Sequence, residues 1–144
     1  MNFSAFDYDC MASALQLARK GLETTHPNPR VGCVITQDKE VIGKGWHKKT
    51  GEPHAEIYAL REAGDRAAGG TAYVTLEPCG HTGRTPPCAD ALISAKIARV
   101  IFAVGDPNPE VNGGGSESLQ QAGIDVQSGL MATEAEALNA GYFK

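Results

Sequence analysis

The tripeptide His54-Ala55-Glu56 and the segment LEPCGHTGRTPPCAD at residues 76–90 hold the side chains best equipped for chemistry. One imidazole (His54), two thiols (Cys79 and Cys88) and a carboxylate two residues past the imidazole (Glu56) are the parts of a catalytic zinc centre. Such a centre takes three protein ligands, keeps a fourth position open for water, and needs a base that does not itself bind the metal. Taken singly, each residue has a plainer explanation: a lone His is more often a surface or capping residue, and a lone Cys a small buried hydrophobe. It is the conjunction that points to zinc.

The elements around these residues must bring them together. Apolar positions Met11, Ala14, Leu15, Ala18 and Leu22 form a helical stripe over residues 9–22, with Ser4 and Asp7 as a capping pair and Gly21 near the stop. The Pro-rich stretch TTHPNPR (24–30) cannot be regular and leads into a strand, VGCVIT, joined through Gln37-Asp38-Lys39 to a second strand, VIGKGWH, as an antiparallel hairpin. Pro53 suits a first helical turn, and Ala55, Ala59, Leu60 and Ala63 continue a helical face until Gly64, so His54 and Glu56 open the second helix. Side chains two apart within a helix point about 200° from one another. At a helix start, however, both can reach a target lying off the end of the axis.

After the loop DRAAGG, the run TAYVTLE reads as a strand ending just before Cys79, at the edge where open α/β sheets place their ligands. Pro86-Pro87 then precedes a helix with Cys88 in its first turn, where the positive end of the helix dipole favours a thiolate. A strand (RVIFAV), the loop GDPNPEVNGGG, a helix (SESLQQAG), a strand (IDVQ) and a helix around residues 133–139 complete the chain. The order α-β-β-α-β-α-β-α-β-α predicts an α/β fold, a five-stranded mixed sheet with helices on both faces.

Composition bounds the rest. At 144 residues and 42% hydrophobic the chain is expected to be one domain, residues 1–144. A net charge of −4 argues against a protein built to coat nucleic acid and favours a small-molecule substrate. No stretch approaches the ~20 apolar residues of a membrane span, and the N-terminus lacks a basic region followed by an apolar run, so the expected compartment is the cytoplasm, with no membrane partner. In that reducing setting Cys10, Cys33, Cys79 and Cys88 read as thiols or metal ligands before disulfides. Cys10 and Cys33 fall where core packing explains them, and Trp46 and Tyr58 are read first as core or edge packing.

Zinc deaminases carry His-x-Glu followed by Pro-Cys-x-x-Cys, with zinc on the His and both Cys and the Glu as general acid/base. Here the first half fits, while Cys88 follows Cys79 by nine positions instead of three. With that stretched spacing, the motifs HPNPRVGCV, GKGWH, HAE, TLEPCGHTGRTPPC and DPNPEVNGGG resemble the riboflavin-pathway pyrimidine deaminases of the cytidine-deaminase-like superfamily. In that family the deaminase is the N-terminal half of a bifunctional deaminase/reductase. The motifs span residues 26–115, and weaker similarity extends to both ends of the chain.

The resemblance implies a three-layer α/β/α cytidine-deaminase-like fold and one Zn²⁺ per chain on His54, Cys79 and Cys88. It also implies hydrolytic removal of the 2-amino group of 2,5-diamino-6-ribosylamino-4(3H)-pyrimidinone 5′-phosphate, giving 5-amino-6-ribosylaminouracil 5′-phosphate and ammonia. The metal would lower the pKa of a bound water toward about 7 and so supply hydroxide, with Glu56 as general acid/base. The starts of the second and third helices, if both point at the cluster, would favour its negative charge. By the same resemblance Arg84 and His81 line the phosphate and ribose pocket, Asn28 meets the pyrimidine ring, His47 lies on the substrate side, and Asp106 and Asn108 contact ribose or phosphate. Each has a plainer alternative: a solvated Arg, a loop-capping or strand-end His, an Asn in a Pro-rich turn, an Asx-type turn in DPNP.

Two other functions are compatible with parts of the pattern. Another deaminase of the superfamily, acting on a base, nucleoside, nucleotide or tRNA adenosine, would be expected to carry the short Cys-x-x-Cys and, for tRNA, basic surface. A structural zinc module needs a fourth protein ligand, for which Glu56 or His81 is the nearest candidate. The family's reductase half would follow after residue 144; no nucleotide-binding glycine motif occurs, so no reductase activity is expected of these residues. A homo-oligomer is compatible with the chain.

Overall fold

The computed structural model describes residues 3–20, 31–46, 54–77, 88–105 and 114–138. Its elements follow the expected order: α1 (Ala5–Arg19), β1 (Gly32–Gln37), β2 (Glu40–Trp46), α2 (Ala55–Ala63), β3 (Thr71–Leu76), α3 (Cys88–Ser94), β4 (Arg99–Val104), α4 (Gly114–Gln121), β5 (Asp125–Ser128) and α5 (Ala132–Leu138). The sheet runs β2-β1-β3-β4-β5, with β1 antiparallel to β2 and β3, and β3, β4 and β5 mutually parallel. It is the mixed five-stranded sheet expected from the element order.

Alternation along the strands divides the core into two layers. Cys33 and Ile35 of β1, Ala72 and Val74 of β3, and Val100 and Phe102 of β4 face one way, against Ala55, Ala59, Ala89, Leu92 and Leu119 of α2, α3 and α4. Val34, Tyr73, Ile101 and Ala103 face the other way, against Met11, Ala14 and Leu15 of α1 and Ala135 of α5. The central strands are covered on both faces and therefore read as continuous apolar runs, as parallel strands under helices do. Cys10 and Cys33 are buried core thiols, and neither is in a disulfide.

Local chemistry sets the ends of the elements. α1 starts earlier than its apolar stripe because Ser4 and Asp7 close a reciprocal capping box: Ser4 Oγ accepts from Asp7 N–H at 3.0 Å and Asp7 Oδ2 from Ser4 N–H at 2.9 Å. Asp38 and Lys39 both take left-handed φ values (51° and 64°), so the β1–β2 turn is the two-residue kind whose twist suits a hairpin. Gly64, at φ 58°, ends α2, and residues 64–67, running into the expected loop DRAAGG, form one 3-10 turn. Among the described residues no helix is long and apolar enough to cross a membrane.

Asp7 has a second task. Tyr73 Oη donates to its Oδ1 at 2.6 Å, and Arg99, which also holds Gln127, approaches the carboxylate at 3.4 and 3.5 Å. Burial alone would push the carboxyl up, but the bonds from Tyr73 and Ser4 and the Arg99 charge outweigh it and hold Asp7 below the usual 3.8. A depressed acid contributes stability above its unfolded pKa and loses it as pH falls through the folded one. Tyr73→Phe is therefore expected to cost about 1.5–3 kcal/mol at neutral pH, the scale of a hydrogen bond to a charged group. In urea titrations the gap from the native protein should narrow once the pH drops below 3.8.

Candidate metal centre

α2 packs on both strands of the β1–β2 hairpin and against α3. β2 carries Gly43 and Gly45 toward α2, and a Cβ on either would fall on a helix carbonyl oxygen, that of Ala59 and Ala55 respectively. Small residues on both sides, Gly43 and Gly45 against Ala55, Ala59 and Ala63, thus let the helix backbone lie directly on the strand. Lys44 N–H donates to Glu62 Oε1 at 2.8 Å, fixing the helix along the same edge. This close seating sets the position of the α2 start. Gly45→Ala should push that start away, costing about 1–3 kcal/mol as overpacking does. Metal affinity should fall with it, read as earlier zinc loss to a chelator.

His54 is the residue before α2, its N-cap, with extended backbone (φ −73°, ψ 167°) and no capping bond from its ring. The helical 200° rule therefore does not govern the pair His54 and Glu56. Instead the imidazole turns to α3, where His54 Nδ1 lies 3.2 Å from Cys88 Sγ. Cys88 is the first residue of α3 and 1% exposed. Two helix starts thus converge through an imidazole and a thiol that are 34 residues apart in the chain.

Glu56 sits in the first turn of α2, where a carboxylate is favoured by the helix dipole, and is 3% exposed with its Oε1 enclosed. Its charge is felt across the interior: Cys33 is pushed well up, first by complete burial and then by Glu56. A carboxylate so enclosed costs free energy unless something at the site uses it. Trp46 packs against the α1 layer with Lys20 Nζ 4.8 Å above its ring, and Tyr58 is partly buried with Arg61 stacked at 5.9 Å, so both have packing roles. A polar cleft of about 290 Å³ lies at the N-terminal end of β3 and β4, bounded in part by Asp7, Lys39, Tyr73 and Arg99, and neither His54 nor Cys88 lines it.

The donor set can be tested against zinc. Tetrahedral ligands at the usual Zn–N and Zn–S lengths stand about 3.5 Å apart. His54 Nδ1 and Cys88 Sγ, at 3.2 Å, are close to that spacing, and a nitrogen–sulfur pair is zinc's preferred chemistry. Among the described residues no third metal-type side chain joins them. Cys79, Asn28, His47, His81, Arg84, Asp106 and Asn108 lie outside the described residues.

Sequence reasoning missed two residues that grip the neighbourhood. Thr75 Oγ1 accepts from Gly32 N–H at 3.1 Å, and Glu77 Oε2 accepts from Ser116 N–H at 3.1 Å and Ser116 Oγ at 3.0 Å. Both lie inside TLEPC next to Cys79, and a buried hydroxyl and carboxylate in a strand otherwise apolar are the signal that could have marked them.

A mixed sheet between helical layers, with metal-type ligands at two helix starts, defines the cytidine-deaminase-like class. The family described as the cytidine and deoxycytidylate deaminase zinc-binding region matches residues 4–104. The riboflavin biosynthesis protein RibD of Escherichia coli (strain K12) is 63% identical over 134 residues, covering 93% of this chain and 36% of the relative. The diaminohydroxyphosphoribosylamino-pyrimidine deaminase of Buchnera aphidicola (subsp. Schizaphis graminum) is 54% identical, covering 93% of this chain and 91% of that protein. The solved structure of Acinetobacter baumannii RibD (form 1) superposes with a TM-score of 0.95 at 53% identity, over 96% of this chain and 39% of that one. The chain belongs to the riboflavin-biosynthesis pyrimidine deaminases, within the cytidine and deoxycytidylate deaminase family. It spans about a third of the length of the RibD relative from Escherichia coli.

Proposed function

We propose that residues 1–144 are a deaminase domain that hydrolyses 2,5-diamino-6-ribosylamino-4(3H)-pyrimidinone 5′-phosphate to 5-amino-6-ribosylaminouracil 5′-phosphate and ammonia. The observation that carries the reading is the meeting of His54 and Cys88 at two helix starts, with the buried Glu56 in the first turn of α2. The Buchnera relative, nearly all of whose length this chain matches, supports the substrate.

His54, Cys79 and Cys88 would hold one Zn²⁺, the chemistry for which the family's zinc-binding region is described. When bound, zinc is a Lewis acid that makes water acidic enough to attack at neutral pH. The remaining work belongs to the chain. Glu56 takes a proton from the attacking water as its oxygen bonds to the ring carbon, and passes it to the adjacent ring nitrogen. It then takes the proton of the added hydroxyl and hands it to the amine, so the C–N bond breaks, the carbonyl forms and ammonia leaves. Burial of the carboxylate keeps bulk water from competing for that proton.

Arg84 and His81 hold the phosphate and ribose, Asn28 and His47 the ring side, and Asp106 and Asn108 the ribose or phosphate. The substrate is a small ribotide and not nucleic acid or membrane, the compartment is the cytoplasm, and the domain uses no nicotinamide cofactor. Zinc-loaded protein, incubated in parallel with the diaminopyrimidinone ribotide and with cytidine, should release ammonia from the ribotide. Release from cytidine alone would overturn the assignment.

A further inference from the structure

Glu77 is 4% exposed, one residue past the end of β3 and two before Cys79. Carboxylates are rarely left this deep without donors, because an unsatisfied buried charge is costly. Its Oε2 takes two from one residue, Ser116 N–H and Ser116 Oγ, at 3.1 and 3.0 Å. Ser116 lies in the first turn of α4, where backbone N–H groups lack intrahelical acceptors and negative charge is favoured by the helix dipole.

The sheet does not depend on this contact. Leu76 is already paired with Val104, and Glu77 N–H donates to Val104 O at 2.9 Å, so backbone bonds hold β3 to β4. The carboxylate reaches past the sheet to an element that enters the core separately, through Leu119. Chain connectivity gives the contact its meaning. On one side Glu77 leads directly into Pro78-Cys79; on the other, Ser116 directly follows the segment DPNPEVNGGG, which holds Asp106 and Asn108. Thr75, two residues earlier, accepts from Gly32 N–H, where the chain emerges from HPNPR and Asn28. Thr75 and Glu77 thus bond to residues that, in sequence, closely follow the two Pro- and Asn-rich segments, while Cys79 follows Glu77 by two positions.

We propose that Glu77 is a positioning residue for substrate binding, fixing through Ser116 the start of α4 relative to the end of β3. The substrate side of this inference rests on the deaminase reading above; the tie to α4 does not.

Glu77→Ala, Glu77→Gln and Ser116→Ala should be compared with the native protein for zinc content, KM and kcat on the ribotide, and amide hydrogen exchange over residues 114–118. Glu77→Ala is expected to raise KM about tenfold with kcat within about threefold, the signature of lost binding. Zinc per chain should stay unchanged and the 114–118 amides should exchange faster. Glu77→Gln, which keeps one acceptor oxygen, should recover part of the KM. Ser116→Ala added to Glu77→Ala should cost nothing more, because both remove the same contact.

Unchanged exchange in both Glu77 variants would overturn the tie whatever the activity. Faster exchange with unchanged KM, or loss of zinc with a collapse of kcat, would overturn the substrate role. A native protein inactive on the ribotide would sink the deaminase reading and the substrate role with it, while exchange still decides the tie.

Discussion

Cys88→Ala is expected to lower zinc content from about one ion per chain to near zero and ammonia release to background. A catalytic site with three protein ligands keeps little affinity when one is removed. Cys88 is 1% exposed, so its removal also leaves a small void in the interior, and some loss of stability should accompany the loss of metal. His54 offers a cleaner separation of function from fold. As the N-cap of α2 it supplies no side-chain capping bond, whereas Asn is among the best caps. His54→Asn should therefore abolish zinc binding and activity while raising the stability of the metal-free protein by about 0.5–1 kcal/mol, within the range reported for caps. Metal analysis beside thermal unfolding with a chelator present checks both. An inactive variant that still holds stoichiometric zinc would remove His54 from the ligand set.

Glu56→Gln is expected to lower kcat by about 10²–10⁴-fold, the span of general acid–base catalysis. That is about 2.7–5.5 kcal/mol of transition-state stabilisation. The exchange preserves shape and hydrogen-bonding length, and Glu56 lies in the first turn of a helix already held by Ala55, Ala59 and Ala63, so the fold should survive. Zinc content and KM should remain near native values, because the amide changes proton transfer and neither ligation nor ring binding. Loss of zinc in Glu56→Gln would make the carboxylate a ligand and point to a closed, structural site.

The parts of this protein legible in its sequence are those with local causes. Helix periodicity, the Ser4/Asp7 capping box, the hairpin turn and Gly64 at the end of α2 each act within a few residues, and the element order follows from them. His54 and Cys88 were marked as partners by residue type, although the side-chain approach itself depends on α2 resting on β2. That seating arises from Gly43 and Gly45 meeting Ala55, Ala59 and Ala63 further along the chain, and small residues advertise little when read one at a time. The long-range bonds were less visible still. Asp7 reads as a cap, and nothing near it announces Tyr73 or Arg99, 66 and 92 positions away. Glu77 and Ser116 likewise find each other across 39 positions. Periodicity assigns a face to a residue, but the partner on that face is fixed only when the sheet order is.

In the proposed site an imidazole and two thiolates from separate parts of the chain share one zinc ion with room left for water. X-ray absorption at the zinc edge of the metal-loaded protein tests it most directly. Two sulfur scatterers with one imidazole and one further light atom from water are expected. A shell without sulfur, or one closed by four protein ligands, would contradict it.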